Sequence, residues 1–287
     1  MSTATEAGRL GVGDWFSVFK SSGKEFLDDD CMGLSQQVAY SSLLAFFPAM
    51  IFLIAFLDLI GAYSALLNFL DPVAPQSVLN IVKQLQRDSG GASVVLLALG
   101  IFGALWAGSG AMSSMVKAVN RAYDKDETRP IWKVRLISLT LVLASATVLA
   151  GILLLIVLGG RLGDAIAAKA NLGSAFTWFW NIARWPIAFT VVLLLFALIY
   201  YLAPNHDRRR WKWISTGSLV GSLMWLVLSG LFALYTSFSS SYSRTYGSLA
   251  GGIVLLLWLN YSAWAVLFGA ELNSQLDRRR GRKPAAG

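Results

Sequence analysis

Apolar residues run along this chain in blocks of about twenty, separated by short polar stretches in which Lys and Arg collect. A helix of ~20 residues rising 1.5 Å per residue crosses the ~30 Å hydrocarbon core of a bilayer. Six blocks are candidates: residues 38–60, 92–112, 136–158, 186–202, 213–234 and 249–270. The fourth is the shortest and has room to begin earlier, in the aromatic stretch around Trp178 and Trp180. None shows the strict polar–apolar alternation over ~10 residues that marks a barrel strand, so helices are the remaining way to satisfy a backbone inside lipid. The pattern predicts an all-α, polytopic membrane protein with six transmembrane helices. It divides into an N-terminal segment 1–37, a membrane domain 38–270 and a basic tail 271–287.

Three further stretches have the mixed character of helices lying on a membrane surface. Residues 14–27 set Trp15, Phe16, Phe19 and Phe26 among Lys20, Lys24 and Glu25. Residues 75–88 place Val78, Leu79, Val82 and Leu85 at helical spacing, with Lys83 and Arg87 elsewhere on the turn. Residues 161–184 are partly apolar and rich in aromatics. No apolar leader with a small-residue cleavage site precedes residue 38, so the first span is expected to act as its own insertion signal.

The distribution of cations sets the orientation. Eighteen of the 24 Lys and Arg residues fall in the N-terminal segment, the second loop, the fourth loop and the tail, which all lie on one side of a six-span chain. The positive-inside rule puts that side, with both termini, in the cytoplasm of a bacterial inner membrane. The net charge of +8 is then a property of the cytoplasmic face. Anionic lipid headgroups account for it, and no nucleic-acid partner is expected. With 56% apolar and 14% charged residues, no stretch remains that could build a separate soluble core.

Little is available for catalysis. There is one cysteine, Cys31, after three aspartates that disfavour a thiolate, and one histidine, His206, in a basic turn. No cofactor and no metal site is expected. Ala107-Gly108-Ser109-Gly110 has half the form of a nucleophile elbow but precedes no soluble sheet, and packing a helix end is the better reading of Ser109.

Polar positions inside the spans carry more. Pro48 and Asn260 both fall near the middle of their spans. Pro48 frees the carbonyl of Leu44, and an Asn amide at that depth must face protein or water. One reading is a static kink and an interhelical hydrogen bond. The other is a midplane substrate site beside a broken helix. Asp58, Arg244 and Glu271 are candidate headgroup or ion contacts, an arginine being the natural partner for Glu271. The pairs Gly217/Gly221 and Gly247/Gly251 have the spacing that lets two helices approach closely.

Several phrases together resemble the YihY/BrkB family of bacterial inner-membrane proteins. The strongest are Tyr246-Gly247-Ser248-Leu249-Ala250-Gly251 and Gly269-Ala270-Glu271-Leu272-Asn273. Ala39-Tyr40-Ser41-Ser42 through Phe47-Pro48, Ala118-Val119-Asn120-Arg121-Ala122-Tyr123 and Tyr201-Leu202-Ala203-Pro204 add to them, as do Trp225 and Phe232-Ala233-Leu234-Tyr235. The resemblance spans roughly residues 20–280 and implies a six-helix inner-membrane fold with an envelope role, often taken to be transport of a lipid or other amphipath. It brings no catalytic residues. An older ribonuclease label attaches to some members, and this sequence, without clustered metal ligands or an RNA-binding module, speaks against it. The resulting expectation is a transporter or translocase without an ATPase of its own, in contact with membrane lipids, with homo-oligomerisation left open. A non-transporting scaffold built on Arg208, Arg209 and Arg210 is the alternative. A membrane-embedded enzyme using Asp58 or Glu271 comes third.

Overall fold

The computed structural model describes residues 11–59, 94–157, 159–170, 173–205, 214–238 and 249–282. Its regular elements there are all helices: α1 (Val12–Asp28), α2 (Cys31–Leu59), α3 (Val94–Ala122), α4 (Ile131–Val157), α5 (Gly159–Ala170), α6 (Gly173–Leu202), α7 (Thr216–Phe238) and α8 (Leu249–Arg282). Six contain stretches of 20 to 29 residues long and apolar enough to cross a membrane. Only 17–33% of each such stretch is buried within the protein, so most of its apolar surface needs lipid to cover it.

Local chemistry explains the boundaries. The Asp14 carboxylate accepts the Gly11 amide at 3.0 Å, capping α1 and placing negative charge on its first turn. Asp30 turns the corner into α2 with a positive φ of 51°, a conformation Asp tolerates better than most residues. Its carboxylate accepts the Gly33 amide at 3.3 Å. A Cβ on Gly33 would fall 2.5 Å from that carboxylate, which would have to swing away and give up the hydrogen bond. Pro186 lies inside α6, and the carbonyl it carries accepts the hydroxyl of Thr190 at 2.8 Å.

Several ends extend past the hydropathy reading. α3 runs to Ala122 and not to residue 112, α4 begins at Ile131 and not at 136, and α6 begins at Gly173, in the aromatic stretch before 186. Two further extensions matter most. The first span begins at Cys31 and not at residue 38, and the last helix continues through Arg282 instead of ending at Ala270. Both extensions are polar in sequence yet pack against protein. Cys31 and Ser35 are fully buried, and Leu272 and Leu276 close onto Val18 of α1. Each fully buried Leu or Val side chain contributes about 1.5–3 kcal/mol, enough to hold α1 against α8. Arg278 pairs with Glu25 at 3.6 Å and with Asp124. Arg279 donates to Ser17 Oγ at 2.7 Å and to the Asp14 carbonyl at 3.4 Å. The expected basic tail is thus, as far as Arg282, a docked helix. The stretch 161–184 divides between α5 and the start of α6, while 75–88 lies outside the described residues.

Each span packs on the one before it, and α8 returns to α2, closing a ring. Gly100 and Gly103 of α3 lie against Phe52 and Pro48 of α2, and Gly108 against Val142 of α4. α8 also touches α3 and takes the Tyr200 hydroxyl of α6 on its Val266 carbonyl at 2.8 Å. The dense core lies at the end shared by both termini, around Val116, Val119, Ala122, Tyr200, Ala203 and Leu267. The opposite half has fewer buried residues, with Phe47, Phe102, Leu231 and Leu234 exposed.

Candidate functional site

The last two spans are joined by aromatic and glycine contacts that leave a groove between them. Near the terminal end they touch closely: a Cβ on Gly217 would strike the carbonyl of Gly269, and one on Gly221 would lie 2.9 Å from that of Ala265. The Gly217 amide donates to Asn273 Oδ1 at 2.8 Å, and Asn273 Nδ2 donates to Ser215 Oγ at 3.0 Å. Further along, Trp225 Nε1 donates to Ser262 Oγ at 3.0 Å and Trp258 Nε1 to Ser229 Oγ at 3.2 Å. Beside that zipper lies a cavity of about 410 Å³ lined by Leu228, Leu231, Phe232, Tyr235, Leu257 and Tyr261. Leu231 and Tyr235 are exposed at its mouth, so it opens sideways on the lipid-facing surface.

Asn260 precedes Tyr261 on α8, and its Oδ1 is buried without a hydrogen-bond partner among the described residues. Trp264 Nε1, one turn on, is in the same condition. Pro48 has a different neighbourhood, with its ring against Gly103 of α3, so the contacts do not gather the expected midplane pair at one site. Gly251 has nothing within 4 Å of its Cβ direction, so the close approach expected there does not hold for this residue. Gly217 and Gly221 do meet the backbone of α8. Arg244, Gly247 and the side chain of Asp58 lie outside the described residues, as do His206, Arg208, Arg209 and Arg210.

A second polar centre sits under the corner between α1 and α2. Glu271 is fully buried, and Cys31 Sγ donates to its Oε1 at 3.6 Å. Its Oε2 has no hydrogen-bond partner, nor does Asp29 Oδ2. The arginine expected beside Glu271 is absent among its described contacts. Arg121 pairs with Asp29 at 3.1 Å, and Arg278 is taken by Glu25 and Asp124. The corner closes over Glu271 and removes it from the headgroup region its sequence position suggested.

Next to this centre, Arg129 ties the loop after α3 to the end of α6. It donates to both oxygens of Glu127 and to the carbonyls of Leu202 (3.3 Å) and Ala203 (2.8 Å). Asn205 reinforces the tie, its amide donating to Asn120 Oδ1 at 2.7 Å and its side chain to Thr128 Oγ1 at 2.8 Å. The Arg129 guanidinium, first of all, and the Asn120 amide hold the Glu127 carboxyl below its ordinary range. Sequence reasoning passed over this latch and also over Arg135, which donates to Ser109 Oγ at 2.8 Å. The available signals were Asn120 and Arg121 inside a recognisable motif and a cation four residues into a helix.

Six apolar helices closed into a ring, a core packed at one end and a sideways groove define a multi-pass membrane protein. The profile described as Virulence factor BrkB matches residues 22–287, and the chain belongs to that family. Among relatives, ribonuclease-like protein YfkH of Bacillus subtilis (strain 168) is 33% identical over 254 residues, covering 86% of this chain and 90% of YfkH. A UPF0761 membrane protein of Alteromonas mediterranea is 25% identical, covering 95% of this chain and 90% of its own. Another, from Rhodospirillum centenum, is 25% identical over 94% of this chain, which spans 60% of that relative's length. No solved structure matches the chain.

Proposed function

We propose that this protein is an inner-membrane transporter or translocase for a lipid or similar anionic amphipath, with both termini in the cytoplasm and no ATPase of its own. The observation that carries this reading is the groove between α7 and α8. Its volume of about 410 Å³ and its lining of four apolar side chains and two tyrosines suit an alkyl chain with a polar group near one end. Asn260, the residue before the groove's Tyr261 on α8, has a buried Oδ1 without a partner, an acceptor that becomes reachable only if the helices separate. Membrane lipids are its partners. A ribonuclease activity, suggested by the name of the Bacillus relative, is not part of this reading.

Lipid and metabolite mass spectrometry on gently purified protein tests the reading, beside an unrelated six-span control. An amphipath enriched over the control and depleted several-fold in Leu257→Trp, which fills the groove, is the expected result. Lipid in control proportions, unchanged by Leu257→Trp, overturns it.

A further inference from the structure

Arg135 is the fifth residue of α4, close to the terminal end. Side chains on a helix tilt toward its N-terminus, which here would carry a long cation out to the headgroups. Arg135 goes the other way. Its Nη1 donates to Ser109 Oγ at 2.8 Å, and its Cζ lies 5.1 Å from the centre of the Trp106 ring. The Ser113–Ser138 hydrogen bond at 3.0 Å and the contact of Gly108 with Val142 set the register of α3 against α4. By that register Ser109 lies roughly 9 Å, and Trp106 roughly 13 Å, deeper than the backbone of Arg135. Gly103 of α3 meets the mid-span Pro48, and Ser109 lies six residues, roughly 9 Å, from that level toward the terminal end, so the guanidinium is held inside the hydrocarbon of the terminal-side leaflet.

What surrounds it is a partial set of partners. Ser109 is itself fixed, donating to the Trp106 carbonyl at 2.9 Å, and so presents a lone pair to the arginine. Gly110 lies alongside, where a Cβ would be in ordinary van der Waals contact with Nη1 at 3.9 Å. Among the described residues no carboxylate pairs with Arg135. A guanidinium has five N–H donors, and one hydroxyl and one ring face do not occupy them. Trp106 is 64% exposed, so the site opens laterally between α3 and α4. Toward the terminal end the hydroxyl pairs Ser113/Ser138 and Ser41/Ser114 continue a polar line. An unpaired cation at this depth is costly and is most often a functional group.

We propose that Arg135, Ser109 and Trp106 form a site, sunk within the terminal-side leaflet, for the phosphate of an anionic lipid, entered from the side between α3 and α4. The arginine fork takes two phosphate oxygens, as its geometry favours. The indole face holds the guanidinium plane, and the serine line gives the headgroup hydrogen-bonding groups between the leaflet and the site. This deepens the translocase reading, which gives the site its purpose, but binding is measured without transport. Loss of the site with translocation intact refutes the site; a working site with no translocation refutes the reading.

The test is thermal unfolding in neutral detergent with added phosphatidylglycerol, phosphatidylcholine or inorganic phosphate. Phosphatidylglycerol raises the midpoint and phosphatidylcholine does so far less. Arg135→Gln loses most of that difference, and Arg135→Lys keeps part of it. Trp106→Leu and Ser109→Ala, which retain the charge, reduce it several-fold and serve if Arg135→Gln does not fold. An undiminished preference for phosphatidylglycerol in these variants overturns the proposal. So does an equal effect from inorganic phosphate alone, which would assign a free oxyanion as ligand.

Discussion

Replacing Gly217 by alanine adds one methyl group at the tightest contact between α7 and α8. That methyl would collide with the carbonyl of Gly269 and come within 2.5 Å of Asn273 Cγ, so backbone and not a flexible side-chain tip must give way. Forced overpacking of this kind costs about 1–3 kcal/mol. Separating the helices also lengthens the buried 2.8 Å bond from the Gly217 amide to Asn273, and orphaning such groups costs about 1–3 kcal/mol more. The total, roughly 2–6 kcal/mol, corresponds to a fall in unfolding midpoint of the order of 5–20 °C for a chain of this size. Gly251→Ala is the internal control. Its Cβ meets nothing within 4 Å, and alanine's better helix propensity is worth up to ~1 kcal/mol in its favour. Thermal unfolding in detergent, followed by the emission of the 11 tryptophans, measures both variants. Equal midpoints for Gly217→Ala and wild type, or a larger loss for Gly251→Ala, would refute the packing of α7 on α8 described above.

Two further outcomes follow from the polar end. Because the folded structure lowers the pKa of Glu127, the stability it contributes is present above its unfolded pKa, near the ordinary ~4.3, and is lost as pH falls through the folded value. The midpoint difference between wild type and Glu127→Gln is therefore constant at neutral pH and shrinks in acid; a difference independent of pH down to 3 would contradict the latch. Cys31 is fully buried beside Glu271, so a maleimide does not label it in the folded protein, while Lys24→Cys, at a side chain 80% exposed, labels promptly. Equal labelling rates at the two positions would mean that the corner over Glu271 is open.

The helical class and the number of spans were legible because lipid imposes them: a segment in hydrocarbon must be apolar and about twenty residues long. Hydropathy reads contact with lipid, and it stops where contact with protein takes over. Residues 31–37 and 271–282 look like polar flanks, yet they continue α2 and α8 because Ser35, Leu272 and Leu276 are covered by neighbouring helices. The burial of Glu271 depends on a corner 240 residues away from it in the chain, at Asp29–Cys31, which no local pattern announces. Arg135 looks like one more cation of a basic loop. Its direction is set by the hydroxyl of Ser109 and the ring of Trp106, and those belong to another helix. The glycine pairs show the same division: equal spacing in sequence, close contact at Gly217 and Gly221, open space at Gly251.

The most direct test of the account is lipid translocation in proteoliposomes. Headgroup-labelled phospholipid in the inner leaflet is followed as it becomes accessible to a membrane-impermeant quencher, with purified protein, Leu257→Trp, or an unrelated six-span protein reconstituted at equal density. The account predicts exchange at least several-fold faster with the wild-type protein than with the unrelated one, and a return to the control rate in Leu257→Trp. Exchange at the control rate with well-folded wild-type protein, for anionic and zwitterionic lipids alike, would contradict it.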